Sequence, residues 1–210
     1  MKLTIFGATG RTGQLLVKQA LDAGYELTLY VRNAKAFYIA DAKITVVQGD
    51  LRNTKKLTEA IAGADACISV LGGNSLTKHA EELCNGIENI VSVMELYGVK
   101  RFIYLSSLGA GQSKQLMPAF ARFLIADLLL RIPLQDHTRN QQVIAKSKLQ
   151  WTIVQPGGLT DNALTGSYKF GSESIPIKGS PSISRANVAH FILAEVAQNK
   201  HIGKEVWMYE

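Results

Sequence analysis

Cysteine is nearly absent from this chain. Of its 210 residues only Cys67 and Cys84 are cysteines, and neither lies in a Cys-x-x-Cys or Cys/His spacing. That excludes a disulfide-built scaffold and a structural zinc site. Cys67 falls in an apolar run and Cys84 in a helical stretch, so both read as small buried hydrophobes in a reducing compartment. The histidines His79, His137, His190 and His201 are scattered and make no metal-ligand pattern. Charge is sparse at 19% of residues, while 47% are hydrophobic, which excludes a disordered chain. No apolar stretch approaches the length of a membrane span, and no secretory leader pattern precedes the first strand. A cytoplasmic protein with no membrane partner is expected. Runs of Lys or Arg interleaved with aromatics are also missing. The net charge of +6 therefore argues for no nucleic acid, since a basic surface attracts anions of every kind. The length suits one domain over 1–210 with a full core.

What is present begins at the third residue. The apolar strand Leu3 to Phe6 runs into Gly7-Ala8-Thr9-Gly10-Arg11-Thr12-Gly13, three glycines spaced three apart, and a helical pattern from Gln14 to Ala23 follows, ended by Gly24. Gly7 lets the chain turn sharply off the strand, Gly10 lets backbone approach a pyrophosphate, and Gly13 lets the helix pack close to the strand. The free N–H groups and dipole of the helix start favour an anion. A glycine fingerprint alone is weak, but here a second strand, Glu26 to Val31, completes the βαβ unit. NAD-binding folds usually end that strand in Asp or Glu for the ribose 2′-hydroxyl. This chain has Arg32, nineteen residues after Gly13. A guanidinium pairs with a 2′-phosphate that a carboxylate would repel, and Arg11 offers a second positive charge. NADP is expected over NAD; the alternative is a solvated arginine at a strand end.

Strands and helices alternate onward. Ala34–Ala42 is a connection, Ile44–Gln48 a strand, Thr54–Ala62 a helix, Ala66–Leu71 a strand leaving through 72–74, and His79–Tyr97 a long helix stopped by Gly98. Arg101–Leu105 and Trp151–Gln155 are further strands, Gln135–Lys146 a helix, 166–178 short hairpin-like strands, Ser184 the start of a last helix, and Val206–Tyr209 a terminal strand. The strongly apolar Pro118–Leu134 reads as a core helix ended by Pro133, with a subunit contact or substrate lid as alternatives. The sum is an α/β chain: a Rossmann-like doubly wound parallel sheet of six to seven strands with helices on both faces, and a small substrate-side portion at about 157–187.

In such sheets ligands lie beyond the carboxyl ends of the strands. That rule nominates the glycine turn, Arg32, Asp50-Leu51, Leu71-Gly72-Gly73, Ser106-Ser107 and Pro156-Gly157. Asp50 is either an acceptor for the adenine amino group or a turn cap. Ser106 and Ser107 sit where a nicotinamide belongs, as hydrogen-bond donors or as a structural turn. His137 is either a proton donor at the same mouth or a surface residue beside a helix-capping Asp136.

These residues resemble the atypical short-chain dehydrogenase/reductases of the NmrA-like, NAD(P)-binding branch, and within it the biliverdin-IXβ reductase and NADPH-dependent flavin reductase group. The likeness runs nearly end to end through Gly7 to Gly13, Val31-Arg32, Gly49-Asp50, Gly63-Ala64-Asp65-Ala66, Ser106-Ser107, Asp136-His137 and Trp151 to Gly157. Leu164-Thr165-Gly166-Ser167-Tyr168 and Ile183-Ser184-Arg185 are its most telling parts. The resemblance implies NADPH at these loops and direct hydride transfer to a planar acceptor such as a flavin, quinone or biliverdin. It implies Ser107 beside the nicotinamide and His137 near the substrate. Two departures matter. The Tyr-x-x-x-Lys pair of the larger superfamily is absent, because Lys100 follows Tyr97 one residue too close. A second histidine found after the sixth strand in mammalian biliverdin reductases is Gly158 here. Flavin reduction asks mainly for positioning rather than a tuned acid. The expected activity is therefore a reductase of a planar small molecule with flavin as a possible substrate, acting as monomer or homodimer. The competing reading is an NADP(H)-binding redox sensor without turnover; a sugar-nucleotide epimerase is disfavoured by the missing Tyr/Lys pair.

Overall fold

The computed structural model describes every residue except Tyr38, Asn74 and 174–180. Parts of the predicted 34–42 connection, 72–74 exit and 166–178 hairpin therefore lie outside the described residues. Among the described residues there are ten strands, β1 (Lys2–Phe6), β2 (Glu26–Val31), β3 (Ile44–Gln48), β4 (Ala66–Ser69), β5 (Arg101–Leu105), β6 (Gln150–Pro156), β7 (Gly158–Thr160), β8 (Lys169–Gly171), β9 (Ser182–Ser184) and β10 (Lys204–Tyr209). Eight of them form one sheet in the order β3-β2-β1-β4-β5-β6-β10-β8. All its neighbours are parallel except β8, which runs antiparallel to β10. The sheet has one strand more than expected. The extra strand is β8, which falls within the short strands expected over 166–178 but joins the main sheet. Its partner is β10 rather than a second arm of a hairpin, while β9 pairs in parallel with β7 in a separate two-stranded sheet.

The helices are α1 (Arg11–Asp22), α2 (Thr54–Ile61), α3 (Glu81–Leu96), a single turn α4 (Ala119–Ala121), α5 (Arg131–Lys146) and α6 (Arg185–Gln198). Because successive strand residues face opposite sides, Leu3, Ile5, Ile68, Ile103 and Val154 pack under α1 and α6. Phe6, Cys67, Phe102, Tyr104 and Ile153 pack under α2, α3 and α5. Both cysteines are buried and free, and burial pushes the Cys67 thiol upward, as the bland reading required. The chain winds from β1 out to β3, returns to β4 beside β1, then builds the other half. The order therefore switches between β1 and β4, where the glycine turn emerges.

Pro118–Leu134 is not a buried core helix. After α4 the backbone widens into a π-helical stretch, Arg122–Leu129, closed by the Leu130 N–H on the Ile125 carbonyl at 2.7 Å. Among the side chains described there, only Ala126 is buried, against Ala110 and Leu134, while Phe120, Phe123, Leu128 and Leu129 are 57–77% exposed. Pro133 does not end it. It lies in the first turn of α5, where a missing N–H costs no helical bond.

Candidate functional site

The glycine turn is built as the spacing demands. Gly7 has φ +89°, a left-handed conformation that β-carbon-bearing residues avoid. A Cβ on Gly13 would sit 2.1 Å from the Gly7 carbonyl oxygen, so α1 can approach β1 only without one. Gly10 bonds back to the Gly7 carbonyl (3.0 Å), and Gln14 is the first residue whose N–H bonds along the helix, to Gly10 at 2.9 Å. The N–H groups of Arg11, Thr12 and Gly13 therefore have no helical carbonyl to bind. No side chain caps this start and no acidic residue occupies its first turn. An uncapped helix N-terminus of this kind fits the pyrophosphate of a dinucleotide.

Beside it opens a cleft of about 440 Å³ at the carboxyl ends of β1 to β4, walled by Gly7, Thr9, Arg32, Asp50, Leu51, Leu71, Gly72 and Gly73 among others. Eight of the nominated residues thus converge on one cavity. Its acids are engaged: Asp50 with Arg52 at 2.9 Å, Glu82 with Arg52 at 3.8 Å, and Glu81 with Arg139 at 2.7 Å. Arg32 has no carboxylate within ion-pair distance among the described residues and stays exposed at the mouth. Asp50 lines the cleft and also caps its own turn. Its Oδ1 accepts from the Arg52 N–H (2.8 Å) and Nε (3.0 Å), and the Arg52 guanidinium holds its pKa down at about 2. Arg11 turns away from this cleft. Its guanidinium meets Asp161 at 2.8 Å, and the same carboxylate takes Arg185 at 2.6 Å, tying the glycine turn to β7 and to the start of α6. Thr12 and Gly13 are buried against the strand and do not line the cleft.

The other nominated residues gather at the ends of β5 and β6. Ser106 is buried and its hydroxyl accepts from Gln141 Nε2 at 2.6 Å. Ser107 is half-buried and donates to the Leu108 carbonyl at 3.2 Å. His137, on α5, shares a 2.8 Å hydrogen bond between its Nδ1 and Tyr104 Oη, which also accepts from Asn140 Nδ2 at 2.9 Å. With the Tyr104 hydroxyl assigned as the donor, Nδ1 accepts and the neutral imidazole carries its proton on Nε2. Burial lowers the His137 pKa to about 4, which keeps the ring neutral. Asp136 is no cap of its own helix. It accepts from the Ala80 N–H at 2.8 Å and pairs with His79 at 2.5 Å, fixing the start of α3 to α5. Pro156 and Gly157 join strands: the Pro156 carbonyl accepts from the Leu108 N–H and the Gly157 N–H donates to the Met208 carbonyl. A Cβ on Gly157 would meet the Pro181 oxygen at 2.5 Å.

Sequence reasoning missed Tyr104, Asn140, Gln141 and Asp161. The α5 residues carried a usable signal, because Asn140 and Gln141 fall at helical spacing between the buried Leu134 and Ile144, on an inward face where polar groups need partners. Each leaves its carbonyl oxygen unpartnered. Asp161 carried none, since only the tertiary fold brings it to Arg11.

The comparisons with known proteins agree with this geometry. Residues 7–199 match the model of the NAD(P)H-binding family. An uncharacterized chloroplastic protein of Arabidopsis thaliana is 31% identical over 98% of this chain and 75% of its own length. The photosystem II assembly factor Ycf39 of Synechocystis is 26% identical over 87% of this chain, which spans only about half, 51%, of that relative. Two solved structures share the fold. A short-chain dehydrogenase/reductase of Veillonella parvula in complex with NADP has a TM-score of 0.86 at 22% identity, covering 100% of this chain and 94% of that one. ChuY, an anaerobilin reductase of Escherichia coli O157:H7, has a TM-score of 0.82 at 22% identity, covering 100% and 97%. The family match spans the glycine turn, the cleft and the ends of β5 and β6 together, and on that ground the chain belongs to the NAD(P)H-binding family.

Proposed function

We propose that the protein is an NADPH-dependent reductase that delivers a hydride to a planar acceptor, a flavin, a quinone or a biliverdin-like tetrapyrrole. The observation that carries this reading is Arg32. It is the cleft's arginine without a carboxylate partner among the described residues, at the strand end where a 2′-phosphate belongs. The uncapped start of α1 would hold the pyrophosphate, and Leu71, Gly72 and Gly73 would flank the ribose. When bound, the dihydronicotinamide supplies the hydride. Ser107 offers a hydroxyl that exchanges its weak bond to Leu108 for an acceptor carbonyl or ring nitrogen. His137, neutral and tied to Tyr104, offers at most its Nε2–H as a donor and no imidazolium proton. The same locked histidine is what favours the second reading, an NADP(H)-binding redox sensor without turnover.

Loss of dihydronicotinamide absorbance with FMN, riboflavin, biliverdin and a benzoquinone, repeated with NADH, decides between them. Turnover that prefers NADPH supports the reductase, with Ser107→Ala slowing flavin reduction more than His137→Ala. Tight NADPH binding without turnover on any acceptor supports the sensor.

A further inference from the structure

The apolar stretch from α4 to α5 has a face with no partner in this chain. On its inner side Ala126 and Leu130 pack on Ala110 and Leu134 of the β5 exit and α5. On the other side Phe120 (77%), Phe123 (64%), Leu128 (65%) and Leu129 (57%) stand in solvent within ten residues. Four large apolar side chains this exposed and this close together mark a contact surface. None of the four lines the cleft. The charges around them are one-sided. From Gly111 to Gln135 the sole acid is Asp127, and Lys114 neutralises it at 2.5 Å. Arg122 stands between Phe120 and Phe123 and Arg131 follows Leu129, and neither has a carboxylate within ion-pair distance among the described residues.

We propose that this face docks on an anionic lipid surface, with Phe120, Phe123, Leu128 and Leu129 entering the headgroup–acyl boundary and Arg122 and Arg131 on lipid phosphates. Exposed aromatic and leucine side chains flanked by arginine are the composition of an interfacial anchor. A second copy of the chain fits less well, since a two-fold contact would set these arginines against each other with no free acid to meet them. The expectation of no membrane partner rested on the absence of a spanning segment, and among the described residues no helix is long and apolar enough to cross a membrane. Peripheral docking needs no such helix. The inference is independent of which acceptor is reduced.

The test is co-sedimentation of the full chain with mixed phosphatidylglycerol–phosphatidylcholine vesicles and with pure phosphatidylcholine vesicles. It is run on the wild type and on the doubles Phe120→Ser/Phe123→Ser and Arg122→Glu/Arg131→Glu, with NADPH affinity as the control for folding. Expected are pelleting with the anionic vesicles, weaker pelleting with the neutral ones, and about tenfold or greater weakening in each double variant. Three results each overturn the proposal. One is a wild type that stays in the supernatant with both vesicles. Another is vesicle binding that neither double variant changes. The third is no vesicle binding together with a dimer, by light scattering, that Phe120→Ser/Phe123→Ser dissociates.

Discussion

Arg11 and Arg32 both bring a guanidinium to the glycine turn, yet their partners separate their roles. Arg11 is held by Asp161, which also binds Arg185 on the α6 side, whereas Arg32, at the end of β2, has no carboxylate partner among the described residues. On the proposed NADPH reading, the 2′-phosphate would therefore fall to Arg32 and not to Arg11. Arg32→Ala should weaken NADPH by about ten- to a hundredfold, the loss of one or two charge-assisted bonds, and leave NADH unchanged. Arg11→Ala should move both cofactors by the same factor. Titrating both variants with both cofactors checks this, and an NADPH-selective loss in Arg11→Ala would reverse the assignment. His137 makes a prediction in pH. Its folded pKa of about 4 lies below the ordinary 6.5, so the unfolded chain takes up a proton first as pH falls. The stability from the neutral ring is complete above about pH 6.5 and is lost progressively down to about pH 4, by of order 2–3 kcal/mol. His137→Gln keeps an acceptor for the Tyr104 hydroxyl and removes the titration. Urea unfolding at pH 7.5, 5.5 and 4.5 (about those values) should fall less steeply for the variant than for wild type; parallel curves would mean that the ring is not held neutral.

At the scale of elements, the strand–turn–helix unit separates packing from binding. A Cβ on Gly13 collides with the Gly7 carbonyl at 2.1 Å and the Ala8 Cα at 2.8 Å, both backbone, whereas a Cβ on Gly72 meets nothing within 4 Å. Gly13→Ala should therefore cost several kcal/mol and lower the melting temperature, as overpacking against backbone does. Gly72→Ala should leave the melting temperature in place and weaken NADPH, because its methyl enters only the space assigned to the ribose. A Gly72→Ala protein with wild-type NADPH affinity would take the ribose away from that wall. The contrast also marks what was legible in the sequence. The turn and the long strands were readable because each depends on local backbone chemistry or on a period of two or 3.6. The cleft residues Arg32, Asp50, Leu51, Leu71, Gly72 and Gly73 were readable because each stands at a strand's carboxyl end. Pro118–Leu134 was misread, since composition reports how apolar a helix is and not what covers it. The Asp50–Arg52 fork, the Arg11–Asp161–Arg185 bridge and the Tyr104–His137 bond depend on where rotamers and distant elements fall, which no spacing encodes.

For the whole molecule, the two ends of the sheet do different work. The cleft, Arg32, Ser106 and Ser107 lie at the carboxyl ends of the strands. At the amino ends, Arg101 at the start of β5 reaches Glu195 of α6 at 3.2 Å, and the pair is 6% and 3% exposed. Arg101 also donates to the Gln150 carbonyl at 2.8 Å, and Glu195 accepts from the His201 N–H and pairs with its ring, each at 2.7 Å. One carboxylate thus fastens β5, α6 and the loop before β10. Burial lowers the Arg101 pKa while Glu195 opposes that shift, and because a guanidinium keeps its charge, Glu195 is the counter-charge that compensates its burial. Glu195→Gln removes the partner and leaves the charge buried. The expected cost is about 3–5 kcal/mol, a fall in melting temperature on the order of 10 °C for a chain of this size. The NADPH dissociation constant of the folded fraction should be unchanged, because no cleft residue bonds to this cluster. Calorimetry paired with NADPH titration below the new melting point separates the two quantities. A weakened cofactor with an unshifted melting temperature would mean that the amino ends of the strands shape the site, and that the division between a stabilising end and a binding end is wrong.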